Sequence, residues 1–255
     1  MFNFLQNWFD RRIIKRSTIS EEEWTAAFDA LPLLTGLSGE EQQRLRELAI
    51  LFMHDKAFEG AAGLTVTRPM ALLIALQACL PILNLGLENY DGWVSVIVYP
   101  AGFAPERASI DEAGVVHRGQ SHLSGEAWQR GPVIIAWDDA ETAGVIDGHN
   151  LVIHEFAHKL DMQNGVANGF PPMHVGMSVD KWVVAFTDGF AHFQQHCQHG
   201  RFHGFDCYAA TSPAEFFAVF SELFFERPAL LRQHYAAIYE QLCQYYRQDP
   251  SLRLA

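Results

Sequence analysis

The sequence predicts an α+β fold, on three observations. Helical periodicity runs through the first third of the chain and returns in its last 110 residues, and a short β-branched and aromatic stretch lies between. Apolar residues make up 49% and charged residues 19% of the 255, enough to bury a sizeable core. Residues 1–90 read as a helical N-terminal region packed on a second region, 91–255, that holds a small central sheet; one continuous domain is the alternative.

The elements follow in order. Phe2 to Phe9 is an apolar start, and Arg11, Arg12, Lys15 and Arg16 come after it. This reads as a helix with a solvated basic end, or as an amphipathic helix that touches a membrane. Ser38 and Glu41 form a capping box, and Leu45, Leu48, Ala49 and Phe52 continue at helical spacing. A second helix runs from about Arg68 to Ala78. Met70 to Leu87 is nearly all apolar, but Pro81 interrupts it and Gln77 and Asn84 would need partners in lipid, so a buried core helix is expected. Trp93 to Tyr99, Val115-Val116 and Pro132 to Trp137 read as strands. Helices are then expected over about Gly148–Met162, Lys181–Gln198, Pro213–Phe225 and Pro228–Tyr246.

The formal net charge of -12 argues against direct nucleic-acid binding. The N-terminal segment lacks the charge order of a secretory signal, and no membrane span is expected. Four widely spaced cysteines, Cys79, Cys197, Cys207 and Cys243, contain no CxxC; reduced thiols in a cytoplasmic protein are expected.

The chemistry centres on His154-Glu155-Phe156-Ala157-His158, an instance of H-E-x-x-H. On a helix, residues four apart leave the same face one turn apart, so both imidazoles reach one zinc ion. The intervening Glu is placed as the general base. A catalytic zinc takes a third protein ligand and keeps one position open. Asp161 and Asn164 exclude the metzincin continuation, so a later acid is needed: Glu215, Glu222 or Glu226. Glu215 also stands three residues after Ser212, where it could simply cap its own helix. Glu222, seven residues on, could be the ligand or accept a hydrogen bond from a ligand histidine. Tyr208, at the entry to the same helix, is a candidate oxyanion donor.

At these residues the chain resembles a known family. Asn150 to Gly165 and Tyr208 to Ala218 resemble the Mlc titration factor A family, bacterial cytosolic zinc peptidases. Leu31–Leu34, Arg44–Leu48, Gln77–Leu80, Trp93–Pro100, Leu123–Trp128 and Tyr246–Pro250 match the same family, so the likeness spans nearly the whole chain. It implies a zincin-like (gluzincin) catalytic domain over 91–255, similar to the peptidase domain of anthrax lethal factor. It implies His154, His158 and Glu215 as ligands of one Zn2+, Glu155 as base and Tyr208 as transition-state donor. It further implies aminopeptidase-type activity on peptides, and binding to the glucose-responsive repressor Mlc, which modulates genes of the sugar phosphotransferase system. A repressor-sequestering protein with a latent or vestigial zinc site is the alternative. His117 is expected either near the metal, where a fourth ligand would close the site, or in a surface loop.

Other constellations point elsewhere. His192, His196, His199 and His203 lack the Glu of a hydrolytic motif and read as a polar helix end. Ser121 and Ser124 lie near His122 without a G-x-S-x-G elbow. Asp138, Asp139 and Glu141 read as a solvated turn.

Overall fold

Three helices open the chain: Phe2–Lys15 (α1), Glu21–Asp29 (α2) and Gly39–Asp55 (α3). Ser20 and Ser38 cap α2 and α3 in reciprocal boxes with Glu23 and Glu41, which satisfies N–H groups that the helices leave open. The structure, a computed structural model, describes residues 2–101, 106–110, 116–120, 125–127, 131–142, 145–199 and 204–254; within it, 2–7, 106–110, 116–120 and 125–127 are described by their backbone alone.

Next come Ala57–Gly60 (β1), Arg68–Cys79 (α4) and Ser95–Tyr99 (β2). The helix α4 is the buried core helix expected from its apolar run. The Gln77 amide donates to the Leu73 carbonyl, and Asn84 lies between Arg44 and the Arg247 carbonyl, so the polar groups that lipid would strand are partnered within the protein. Glu106–Ile110 (β3) and Val116–Gln120 (β4) pair antiparallel as a separate ribbon that sets His117 opposite Ser109. Gly125–Ala127 (β5) and Val133–Ala136 (β6) complete a sheet of order β1-β2-β6-β5, in which β1, β2 and β6 are parallel and β5 is antiparallel to β6. Fold and sequence agree on a mixed, helix-rich architecture with a small sheet.

The remainder is helical: Trp137–Thr142 (α5), Leu151–Asp161 (α6), Val179–Gln198 (α7), Pro213–Glu226 (α8), Pro228–His234 (α9) and Ala236–Tyr246 (α10). The single last helix expected over Pro228–Tyr246 is thus two. Tyr235 breaks it with φ −136° and ψ 55°, and its ring is buried against Phe193, Phe205 and Phe220. No Pro or Gly marks this break; packing of one aromatic ring does. The expectation of four reduced thiols is also corrected. Cys197, in the last turn of α7, is disulfide-bonded to Cys207, with Cα atoms 5.6 Å apart. Ten residues of chain separate them, enough to bring the end of α7 beside the turn at 207–210; Cys79 and Cys243 are free thiols.

Two packing features set the frame of the site. Phe156 of α6 sits in an aromatic cluster with Phe52, Tyr90 and Trp93, at centroid distances of 5.5, 5.0 and 5.7 Å. Trp93 is itself flanked by the ammonium groups of Lys56 and Lys159, 4.4 and 4.8 Å from its ring. In α8, Phe216, Phe217, Phe220, Phe224 and Phe225 are all fully buried, so this helix runs through the core. Among the described residues, no helix is long and apolar enough to cross a membrane.

Candidate metal centre

The position of α6 is fixed by its cap and its apolar face. Asn150 is the N-cap, and its side-chain oxygen accepts from Ile153 N at 3.0 Å. Val152, Ile153, Phe156, Ala157 and Leu160 are buried without residual exposure. The other side of the helix then presents His154 and His158 one turn apart, with ring centroids 4.8 Å from each other.

The start of α8 is fixed by Ser212, whose hydroxyl accepts from Glu215 N at 3.2 Å, and by Pro213 at the first helical position. Only half of a capping box forms. The Glu215 carboxylate does not return to its own helix end; its Oε2 lies 3.0 Å from His154 Nε2 and 3.3 Å from His158 Nε2. The two Nε2 atoms are 3.2 Å apart.

A second tie holds α8 against α6. Asp161, fully buried, accepts from the backbone N–H groups of Asn168, Gly169 and Phe170 at 2.8, 2.7 and 2.9 Å. Gly169 has φ +76°, and a Cβ there would stand 2.4 Å from the Pro213 carbonyl oxygen. Only glycine permits that approach, which seats the turn on the first residue of α8.

These three atoms fit a metal ion. Tetrahedral coordination with bonds of about 2.0–2.1 Å puts ligand atoms about 3.3–3.4 Å apart. The observed edges of 3.0, 3.2 and 3.3 Å are close to that, and two imidazole nitrogens with a carboxylate oxygen are a zinc-type donor set. Among the described residues, His154, His158 and Glu215 are the one cluster of three such groups that could hold an ion.

Behind the ligands stands a layer of acids from the same face of α8. Glu222 Oε1 lies 2.7 Å from His154 Nδ1, and its Oε2 accepts from Asn150 N at 2.5 Å. Glu226 accepts from Asn150 Nδ2 at 3.0 Å and from Gly148 N at 2.9 Å. Glu222 therefore orients the His154 ring, and Glu226 anchors the chain entering α6. Of the three acids left open by spacing, only Glu215 approaches both imidazoles. The role of Asn150 was readable as an Asn before an apolar run; the role of Glu226 had no local signal.

The charges act in one direction. Burial disfavours a charged His154, yet hydrogen bonds to Glu215 and Glu222 and the charges of Glu222 and Glu155 outweigh it and raise the imidazole's pKa well above its ordinary value. Burial likewise opposes a charged Glu215, but hydrogen bonds with His154 and His158 hold its carboxyl well below the usual range. Surroundings that favour a proton on the His154 ring also favour a cation beside it.

Glu155 follows His154 on α6 and is 3% exposed, and its charge helps raise the pKa of His154. Tyr208 is 45% exposed, and its ring centroid lies 6.2 Å from that of His154. Burial, the Glu215 charge and a hydrogen bond with Glu215 push its phenol up to about 12, so it stays a proton donor at neutral pH. The backbone of His117 lies on β4; its side chain falls outside the described residues.

Residues 5–247 match the family model of the glucose-regulated metallo-peptidase M90. The chain is 40% identical over 235 residues to Mlc titration factor A of Yersinia pestis (strain Pestoides F), covering 91% of this chain and 86% of the relative. The protein of the same name from Yersinia pseudotuberculosis (serotype O:1b, strain IP 31758) matches with the same identity and coverage.

Proposed function

This chain belongs to the glucose-regulated metallo-peptidase M90 family, and from that premise we propose that it is a zinc peptidase of aminopeptidase type, with His154, His158 and Glu215 as metal ligands. The observation that carries the reading is the triangle of His154 Nε2, His158 Nε2 and Glu215 Oε2, whose edges of 3.0–3.3 Å suit one divalent ion. Zinc, when bound, supplies Lewis acidity toward a scissile carbonyl and acidifies a water. This chain's own residues do the rest. Glu155 takes the water's proton and passes it to the leaving amine. Tyr208, protonated at neutral pH, donates to the oxygen on which negative charge develops. Glu222 keeps the His154 ring turned so that Nε2 faces the metal. In this reading residues 1–90 pack on a gluzincin-like catalytic region, 91–255, and the protein works in the cytoplasm.

A second reading rests on the names of the relatives. The relatives' printed name, Mlc titration factor A, supports a reading in which this chain binds Mlc, and with it the modulation of sugar phosphotransferase genes that the family resemblance implies. Sequestration with a latent site remains distinct from catalysis, and His117 as a fourth ligand would be the means of latency.

Glu155→Gln separates the two. Hydrolysis of an aminoacyl anilide should fall at least about 10²-fold, while zinc content and repressor binding persist. Unchanged hydrolysis would remove Glu155 from the role of base; no hydrolysis by the zinc-loaded wild type, with repressor binding intact, would leave the sequestration reading.

A further inference from the structure

A hollow between α1, α3 and the segment entering α2 shares no residue with the metal centre. We infer that this hollow, of about 580 Å³, binds a free amphipathic anion: a molecule with a carboxylate or phosphate head and an apolar tail. The inference is independent of the peptidase reading.

Its floor is apolar. Phe9 and Ile13 of α1, Ile19, and Ile50 and Met53 of α3 line it, and Phe9 is 54% exposed. Among the described residues nothing covers this surface, and exposed apolar area in a concave site of this size is the usual mark of a small-molecule pocket.

Its rim is cationic. Arg12, Arg16 and Arg68 line it, together with the polar His54, Ser17 and Thr18, and among the described residues no Asp or Glu does. The chain as a whole carries 30 acidic and 18 Lys or Arg residues, so three arginines round one hollow run against its composition. Arg68 is partly neutralised by Glu23, 3.3 Å away, whose other oxygen is taken by Ser20 N at 2.8 Å. Arg12 and Arg16 have no carboxylate partner among the described residues. Arg68 is also the first residue of α4, so the positive end of that helix adds to the field.

Head and tail are required together. Guanidinium groups bind carboxylate or phosphate through paired N–H donors, but at an exposed rim such contacts are weak alone. The apolar floor adds roughly 25 cal/mol per Å² of tail surface removed from water. A concave hollow, and not a convex apolar ridge, favours a free molecule over a lipid bilayer surface.

The test is calorimetric titration of the full chain with dodecyl phosphate below its micelle concentration. One saturable site is expected. Inorganic phosphate (head alone) and dodecyl maltoside (uncharged head) should each bind at least about ten-fold more weakly. The double variant R12E/R16E should lose at least about ten-fold in affinity with its circular dichroism and melting temperature unchanged, since both side chains are exposed. Phe9→Ser, also at an exposed position, should weaken dodecyl phosphate and leave inorganic phosphate unaffected. Equal binding of the maltoside, undiminished binding by R12E/R16E, or no binding of dodecyl phosphate would each overturn the proposal. So would binding confined to phosphatidylglycerol vesicles, which would make α1 a membrane-surface element instead.

Discussion

Two helices of this protein carry histidines four residues apart, and only one pair meets an acid from a second helix in a group that could hold a metal ion. On α6, His154 and His158 point at Glu215 from α8, with Glu222 behind the first ring. On α7, the His192 and His196 rings lie 4.0 Å apart, tilted by 45°, and their Nδ1 atoms are turned to other uses. His196 Nδ1 lies 2.8 Å from the His192 carbonyl, and His192 Nδ1 lies 3.2 Å from the Tyr235 hydroxyl. Burial of His192 and the charge of His196 lower the pKa of His192, the opposite of the shift at His154. Spacing alone therefore offers two rings to an ion. What makes a site is a second helix that brings an acid to both.

The contrast can be broken or sharpened by substitution. The largest effect is expected for Glu215→Ala, which removes the proposed third ligand while leaving the Ser212 cap, since that cap uses the backbone N–H. Zinc content after dialysis should drop to background, and hydrolysis with it; a variant that keeps full metal would place the third ligand elsewhere. Glu222→Gln comes next. It touches no metal directly, and metal affinity measured by chelator competition should fall by about 10–100-fold. An unchanged affinity would mean that the His154 ring needs no support from α8.

Smaller still is the effect of Glu226→Gln, read as stability against pH. Burial, assisted by the charges of Glu222 and Asp147, pushes Glu226 up to about 8 against the donations of Asn150 and Gly148. The folded-state value lies above the unfolded value of 4.5, so the protein holds this proton better when folded, and stability falls as pH rises from about 4.5 through 8. The Gln variant should lack that fall and melt about 2–4 °C higher than the wild type above pH 8. Identical melting curves at every pH would show that Glu226 ionises freely. Last, His192→Ala with His196→Ala should leave zinc content and hydrolysis within about two-fold, as expected of a pair outside the site. Loss of one equivalent of metal would overturn the contrast between α6 and α7.

Much of this was legible in the sequence, and what was not has physical reasons. The helices bearing His154, His158 and Glu215 follow from periodicity and caps, and α3 and α4 from Ser38 and their apolar faces. Spacing left the third ligand open because Glu215, Glu222 and Glu226 share one face of α8. Which of them meets the histidines depends on how far α8 is offset along α6, and that is set by Gly169 against Pro213 and by the phenylalanine packing. The strand β1 was missed because Ala57-Phe58-Glu59-Gly60 is largely exposed and lacks alternation; it exists by pairing with β2. The break at Tyr235 and the Cys197–Cys207 bond are likewise contacts between distant segments, invisible to local pattern.

The burial of α8 has one further consequence. A helix with a wet side can roll or slide a little, because water conforms to whatever it presents. Here phenylalanines at 216, 217, 220, 224 and 225 grip half of the cylinder's circumference, and buried Ala218, Val219 and Leu223 extend the grip beyond it. Rotation by one residue, about 100°, would force several of those rings into occupied space and carry all the acids away together. Sequence change at these phenylalanines should therefore be all-or-none for the metal: replacements that the packing accepts leave the carboxylates where they are, and those it rejects cost the fold before they detune the chemistry.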